Sequence, residues 1–161
     1  MTKKIFFSMF FLIFLAGTSF AAGSSDSSSK ETLYDKAVQQ IKMAKKLEKK
    51  GKTEKAIKRY ERAIKFLVKS NKMKPNKADT LNYLGFTTRK LGDFENGEKY
   101  YLLGLEIEPN HVGINEYLGE LYVVTNRLDL AKERLKVLES CNCEEYTELK
   151  EIIDGTKQSK Y

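Results

Sequence analysis

The feature that most constrains the fold is a short phrase that occurs twice. The segment "NYLGFTT" at residues 82–88 returns 34 residues later as "EYLGELY" at residues 116–122. A fixed period of this length is typical of repeat proteins, in which each unit stacks on its neighbours. Aligning Ala56 with Gly97 reveals an upstream copy, in which Ala44 stands where Gly85 and Gly119 do. The sequence therefore predicts three similar units in series.

Small residues recur inside segments whose apolar spacing is helical. Gly85, Gly97, Gly104 and Gly119 are the glycines of this kind. Each interior glycine costs a helix about 1 kcal/mol relative to alanine. Four of them cost roughly 4 kcal/mol, a large part of a typical stability of about 5–15 kcal/mol. We therefore expect helix backbones to approach each other closely at these positions.

The breaks between segments carry helix-ending and helix-starting residues. Gly51, Gly92 and Asn126 stand where a left-handed residue ends a helix, and Asp93 and Asn110 stand where side chains cap the next one. The intervening segments are long enough for helices, and none shows the strict alternation of a strand. The sequence predicts an all-α fold.

The segment at residues 78–111 closely resembles a tetratricopeptide repeat. The signature places are occupied by Leu84, Gly85, Gly97, Tyr101, Gly104 and Pro109. Residues 112–143 and 37–77 resemble two further units, of which the earlier is longer because its second helix continues. The resemblance implies an α-solenoid of three helix-turn-helix units in a domain at 31–155. A capping helix at 144–154 and a tail at 156–161 complete the predicted organisation.

The first 30 residues have the pattern of an export signal. Lys3 and Lys4 precede an apolar run at residues 5–17, and small residues lead up to Ala21. We expect a signal peptide at 1–21, cleaved near Ala21, and a flexible polar leader at 22–30. An uncleaved anchor is the alternative, but the run is short for a bilayer core, which needs about 20 residues. The segments "EYLGELY" and "CEEYTELK" are also similar to small exported repeat proteins of bacteria, so we expect a periplasmic protein.

The resemblance implies that the first helices of successive units line a groove for a peptide or partner protein. The predicted lining residues are Ile41, Lys45, Lys49, Asn82, Phe86, Arg89, Lys90, Glu116, Glu120 and Val123. The alternative is that these are ordinary solvated residues of an unused face. Some members of the family clamp C-terminal carboxylates through lysine, asparagine and arginine. Here Lys45 is present, but the other clamp places carry Ile41, Tyr83, Gly113 and Tyr117, so we expect no clamp.

Charge is distributed unevenly along the chain. Residues 30–77 contain 17 Lys and Arg against 5 Asp and Glu, a net of +12, whereas residues 78–161 contain 10 against 16, a net of −6. Basic helices can bind anionic surfaces. An envelope-associated protein that contacts anionic membrane or polymer is therefore the alternative function. Nucleic acid is not an expected partner because it fits poorly with export.

Few residues in the sequence suggest a disulfide, a metal site or a catalytic group. Cys141 and Cys143 predict a disulfide, with free or intermolecular thiols and a copper or zinc site as alternatives. His111 is the only histidine and stands at a helix start, where it is expected to be a surface or capping residue. We expect no enzymatic activity and no cofactor, and we expect a non-catalytic interaction module. The partner and the oligomeric state are not predicted.

Overall fold

Seven α-helices account for the regular secondary structure of residues 32–159, which are the residues that the computed structural model describes. They are α1 (Leu33–Glu48), α2 (Thr53–Met73), α3 (Ala78–Lys90), α4 (Phe94–Ile107), α5 (Val112–Val124), α6 (Leu128–Leu138) and α7 (Glu144–Ile153). The predicted signal peptide and leader, at 1–21 and 22–30, lie outside the described residues, as do the last two residues of the predicted tail.

The helices pack as three helix-turn-helix pairs followed by a cap. Helices α1 and α2, α3 and α4, and α5 and α6 form the pairs, and α7 packs against α5 and α6. The predicted all-α solenoid with a capping helix is confirmed. Helix α2 has 21 residues against 14 in α4, so the first pair carries about two extra turns. Helix α1 begins before residue 37, because Thr32 and Asp35 form a capping box at its start.

The helix ends follow the breaks in the sequence, with one exception. Gly51, Gly92 and Asn126 adopt left-handed backbone angles, with φ of 67°, 91° and 59°. The Asp93 side chain caps α4 by accepting a hydrogen bond from the backbone N–H of Asn96 at 3.1 Å. The exception is α5, whose N-cap is His111 and not Asn110, because Asn110 lies in the preceding turn.

The helix-interior glycines lie where neighbouring groups approach closely, as predicted. A Cβ on Gly85 would lie 2.5 Å from Cε1 of Tyr101, and one on Gly119 would lie 2.6 Å from Cδ2 of Leu149. A Cβ on Gly97 would lie 3.2 Å from the carbonyl oxygen of Gly85, so α3 and α4 meet backbone to backbone. These separations are shorter than the ~3.5–4.0 Å of favourable carbon contacts.

Two groups of buried side chains fill the space between the helices. The first lies between α1, α2 and α3 and includes Ala37, Ile41, Tyr60 and Leu67. The second lies farther along the stack and includes Tyr101, Ile114, Leu118 and Ala131. Within residues 32–159, no helix combines the length and the apolar character that crossing a membrane requires.

Candidate functional site

Side chains from α1, α3 and α5 meet on one face of the stack, which we call the groove. It is defined by Lys45 of α1, Phe86 and Arg89 of α3, and Tyr117 and Glu120 of α5. The repeat places these residues at the same side of successive first helices, although Lys45 and Tyr117 are 72 residues apart in sequence. The groove therefore combines side chains from all three units.

A lysine on aromatic rings forms the centre of the groove. The Lys45 Nζ lies 4.4 Å from the ring centroid of Phe86 and 5.6 Å from that of Tyr117. It also donates a hydrogen bond to the Tyr117 hydroxyl at 3.4 Å. The two rings are 5.2 Å apart and tilted by 41°. A cation held over aromatic faces links α1 to α3 and α5 at this point.

A second set of polar contacts lies beside this centre, at the end of α1. The Lys90 Nζ pairs with Glu48 Oε1 at 2.7 Å, and the Tyr60 hydroxyl donates to Glu48 Oε2 at 2.9 Å. Burial raises the pKa of Tyr60, and the hydrogen bond to Glu48 raises it further. Glu48 therefore connects the lysine of α3 to the tyrosine of α2.

Arg89 and Glu120 form a buried ion pair in the floor of the groove. Arg89 Nη2 lies 2.9 Å from Glu120 Oε2, and both side chains are fully buried. Arg89 Nη1 donates to the backbone carbonyl of Tyr117 as well. Removing one member of such a pair leaves a buried charge without its counter-charge. The pair therefore joins α3 to α5 and helps hold the second and third units together.

The far end of the groove is acidic. A pocket between α5 and α7 is lined by Glu116, Tyr117, Glu144, Glu145 and Glu148. Burial is the main reason that the pKa of Tyr117 is raised, and the charge of Glu116 adds to it. Four carboxylates around one opening favour a cationic group, whereas the opposite end of the groove contains lysines.

The structure brings most of the predicted lining residues together, but they are less accessible than expected. Lys45, Phe86, Arg89, Lys90, Glu116 and Glu120 lie in the groove, and Lys45 and Lys90 retain partial exposure while the other four are buried. Asn82 is also buried, and its amide nitrogen lies beside Gly113. Lys49 is exposed where α1 ends.

One predicted lining residue belongs to the core, and another is half-buried against it. Ile41 is 2% exposed and packs in the first buried group, because its position on α1 faces α2. Val123 is half-buried and packs against the second group. In their place, Tyr117 and the glutamates of α7 contribute to the groove. The spacing of Glu144 and Glu148, one helical turn apart, could have indicated an acidic face on the capping helix.

The cysteines and the histidine lie away from the groove's centre. Cys141 and Cys143 are joined by a disulfide in the turn before α7. The His111 Nδ1 accepts a hydrogen bond from the backbone N–H of Ile114 at 3.1 Å, so its predicted capping role is confirmed. Among residues 32–159, no three or more His, Cys, Asp and Glu side chains are grouped to hold a metal ion.

Residues 78–111, which form α3 and α4, match the family described as tetratricopeptide repeat. The match covers 34 of the 161 residues, so it describes this segment of the chain. The pairs on either side of it have the same helix-turn-helix arrangement, and Gly119 repeats the packing role of Gly85. None of the curated proteins matches the sequence.

Solved structures with similar folds include tetratricopeptide domains in complex with peptides. The first such domain of Spaghetti (RPAP3), bound to the HSP90 peptide SRMEEVD, is 22% identical at a TM-score of 0.54, with 79% of this chain and 98% of that chain covered. The second domain of human RPAP3, in complex with the HSP70 peptide SGPTIEEVD, is 17% identical at a TM-score of 0.52. The match covers 76% of this chain and 98% of that chain. The Yersinia enterocolitica type III secretion translocator chaperone SycD is 16% identical at a TM-score of 0.54. The match covers 75% of this chain and 83% of that chain. At these identities the similarity establishes the shared fold.

Proposed function

We propose that the protein is a non-catalytic interaction module that holds a peptide segment of a partner protein in the groove. The observation that carries this proposal is the order of chemistry along one face. Lys45 and its aromatic neighbours lie at the α1–α3 side, and the glutamates around Tyr117 lie at the α5–α7 side. Two of the structures with the same fold are complexes with short peptides, which supports a peptide-sized ligand.

The groove chemistry argues against a ligand that ends in several acidic residues. The peptides SRMEEVD and SGPTIEEVD carry consecutive glutamates and a terminal aspartate. Here Lys45 is the one cation at the clamp places, because the others hold Ile41, Tyr83, Gly113 and Tyr117. The glutamates that line the pocket between α5 and α7 would repel such a peptide. We propose a ligand with mixed charge, its acidic or aromatic part near Lys45 and its basic part near Glu148.

We also propose that the protein acts after export, in a bacterial periplasm. The support is the pattern of residues 1–21, with cleavage near Ala21. A disulfide between Cys141 and Cys143 suits an oxidising compartment. N-terminal sequencing of the protein purified from its native cell tests this. A mature chain that begins after Ala21 supports export, and a chain that retains Met1 in the cytosolic fraction overturns it.

The groove is tested by crosslinking in the native cell, purification of the tagged protein and mass spectrometry of captured proteins. The decisive variant is Lys45→Glu, because Lys45 lies in the groove and is partly exposed. Lys46→Glu is the matched control, because Lys46 is the next residue on the same helix and is exposed. A partner that is lost with Lys45→Glu and retained with Lys46→Glu supports groove binding. Equal capture by both variants, with unchanged thermal unfolding, overturns it.

A second candidate function has its own observation. One face of α2 is basic and exposed. Cationic residues follow one another at intervals of three or four, which places them on the same side of the helix: Lys58, Arg62, Lys65, Lys69 and Lys72. The apolar stripe of α1 is used in the core, where Ile41 is buried. We propose, as the alternative, that these charges contact anionic membrane or polymer without insertion. Sedimentation with phosphatidylglycerol vesicles tests this, and recovery in the supernatant at low salt overturns it.

A further inference from the structure

The chain after α7 turns back along the helix and reaches the groove. Gly155 ends α7 with a φ of 74°, which permits the reversal. The backbone N–H groups of Thr156 and Lys157 then donate to the Glu151 carbonyl at 2.9 and 3.2 Å. The Thr156 hydroxyl donates to the same carbonyl at 3.1 Å. These bonds hold the start of the segment in a defined direction.

Two side chains of the segment then contact acidic residues of the groove. The Lys157 Nζ lies 2.8 Å from Glu148 Oε1 and 3.6 Å from Glu151 Oε2. The Ser159 hydroxyl donates to Glu120 Oε2 at 3.3 Å, and this oxygen also pairs with Arg89. The hydrogen bond to Glu148 raises the pKa of Lys157, which agrees with a lysine that is charged in this position. The segment thus spans from the acidic pocket to the floor of the groove.

We propose that residues 156–159 are an internal ligand of the acidic end of the groove, which a partner displaces when it binds. This inference rests on the proposed groove function and adds the chemical class of ligand for that end. The ligand is a peptide segment with a lysine at Glu148 and a small hydroxyl side chain near Glu120. A partner that presents the same groups competes with the chain's own segment for the same carboxylates.

The contacts are suited to displacement. Lys157 and Glu148 remain partly exposed to water, and ion pairs of this kind are weak because water and salt screen them. The segment follows α7 directly, so its effective concentration at the groove is on the order of millimolar. A weak contact at that concentration is occupied much of the time, yet a partner with additional contacts elsewhere in the groove replaces it.

The test uses a fluorescent peptide with the sequence of residues 155–161, Gly-Thr-Lys-Gln-Ser-Lys-Tyr, and measures its binding to the full chain by anisotropy. The decisive protein is the double variant Lys157→Ala/Ser159→Ala, which removes both side-chain contacts of the internal segment. If that segment occupies the groove nine-tenths of the time, the variant binds the peptide about tenfold more tightly than the unaltered protein does. Lys150→Ala is the matched control, because Lys150 pairs with Asp154 at the end of α7 and residues two apart on a helix, such as Glu148 and Lys150, do not face each other.

Tighter binding by the double variant alone, weakened again by an added Glu148→Gln, supports the internal ligand. Equal affinity of the unaltered protein, the double variant and the control overturns it, and so does absence of peptide binding to all three. Because the probe is the chain's own sequence, these outcomes are independent of whether a cellular partner is captured. Lost capture with Lys45→Glu would stand even if the peptide failed to bind.

Discussion

Glu120→Gln should destabilise the protein by more than a typical single substitution. The change keeps the shape of the side chain but removes the negative charge opposite Arg89, 2.9 Å away and fully buried. Breaking a buried pair by removing one member costs about 3–5 kcal/mol. That is a large part of a domain's total stability of about 5–15 kcal/mol. The double variant Arg89→Met/Glu120→Leu removes both charges and should return close to the original stability, because hydrophobic replacements of buried pairs are often neutral.

Urea unfolding followed by far-ultraviolet circular dichroism measures this difference. With a slope of about 1–3 kcal/mol per molar urea, Glu120→Gln should lower the midpoint by at least about 1 M. Glu95→Gln is the matched control, because Glu95 forms an ion pair with Lys99 that is exposed on both sides, and its midpoint should not move. The reasoning is refuted if Glu120→Gln costs less than about 1 kcal/mol, or if the double variant is as unstable as the single one.

Three further predictions concern the packing, the tyrosines and the disulfide. Gly85→Ala forces a Cβ to within 2.5 Å of the Tyr101 ring. The variant should therefore unfold more easily, by about 1–3 kcal/mol, although alanine has the better helix propensity. Adding Tyr101→Leu should restore part of that loss in the same urea assay. The pKa of six tyrosines is raised chiefly by burial, which favours their neutral form in the folded state: Tyr34, Tyr60, Tyr83, Tyr101, Tyr117 and Tyr122. Their contribution to stability is complete below about pH 10 and is lost as the pH rises beyond it, because the unfolded tyrosines ionise there first. The chain has nine tyrosines, so tyrosinate absorbance equivalent to more than three of them per chain at about pH 10–11, without loss of helix, would contradict this. Reduction of the bond between Cys141 and Cys143 should increase the intact mass by two hydrogens and lower stability by less than about 2 kcal/mol, because the closed loop is short.

The fold was predictable because its signals are local and periodic. Gly85 and Gly119 share a register set by the 34-residue period, and both lie against a large side chain of a neighbouring helix. Gly92 and Asn126 mark helix ends through their own backbone preference, which is independent of tertiary context. The prediction of Asn110 as the cap of α5 was wrong, because Asn110 and His111 can both cap a helix and the turn after Pro109 places His111 directly before the first helical residue.

The groove was predictable in position but not in accessibility. The repeat places Lys45, Phe86 and Glu120 on one face, yet it does not say which of them water reaches. Phe86 is 3% exposed because rings from two other helices, Tyr60 and Tyr117, pack against it. Ile41 was likewise predicted to be accessible but is buried, because residues of the same turn of α1 face both the groove, at Lys45, and the core, at Ile41. Burial depends on neighbours that are distant in sequence, so a single helix pattern does not reveal it.

Arg89 shows why this matters for function. An arginine on the inner face of α3 suggests a ligand contact, and reversing its charge suggests itself as a test of binding. The structure gives Arg89 a partner 31 residues away, in Glu120, and ten of the thirteen residues of α3 are buried. Reversal would place two carboxylates together in the floor and unfold the protein before it tested any ligand. The residues that distinguish partners are therefore those that keep some exposure, Lys45 at the centre of the groove and Glu148 at its acidic end, and binding variants belong there.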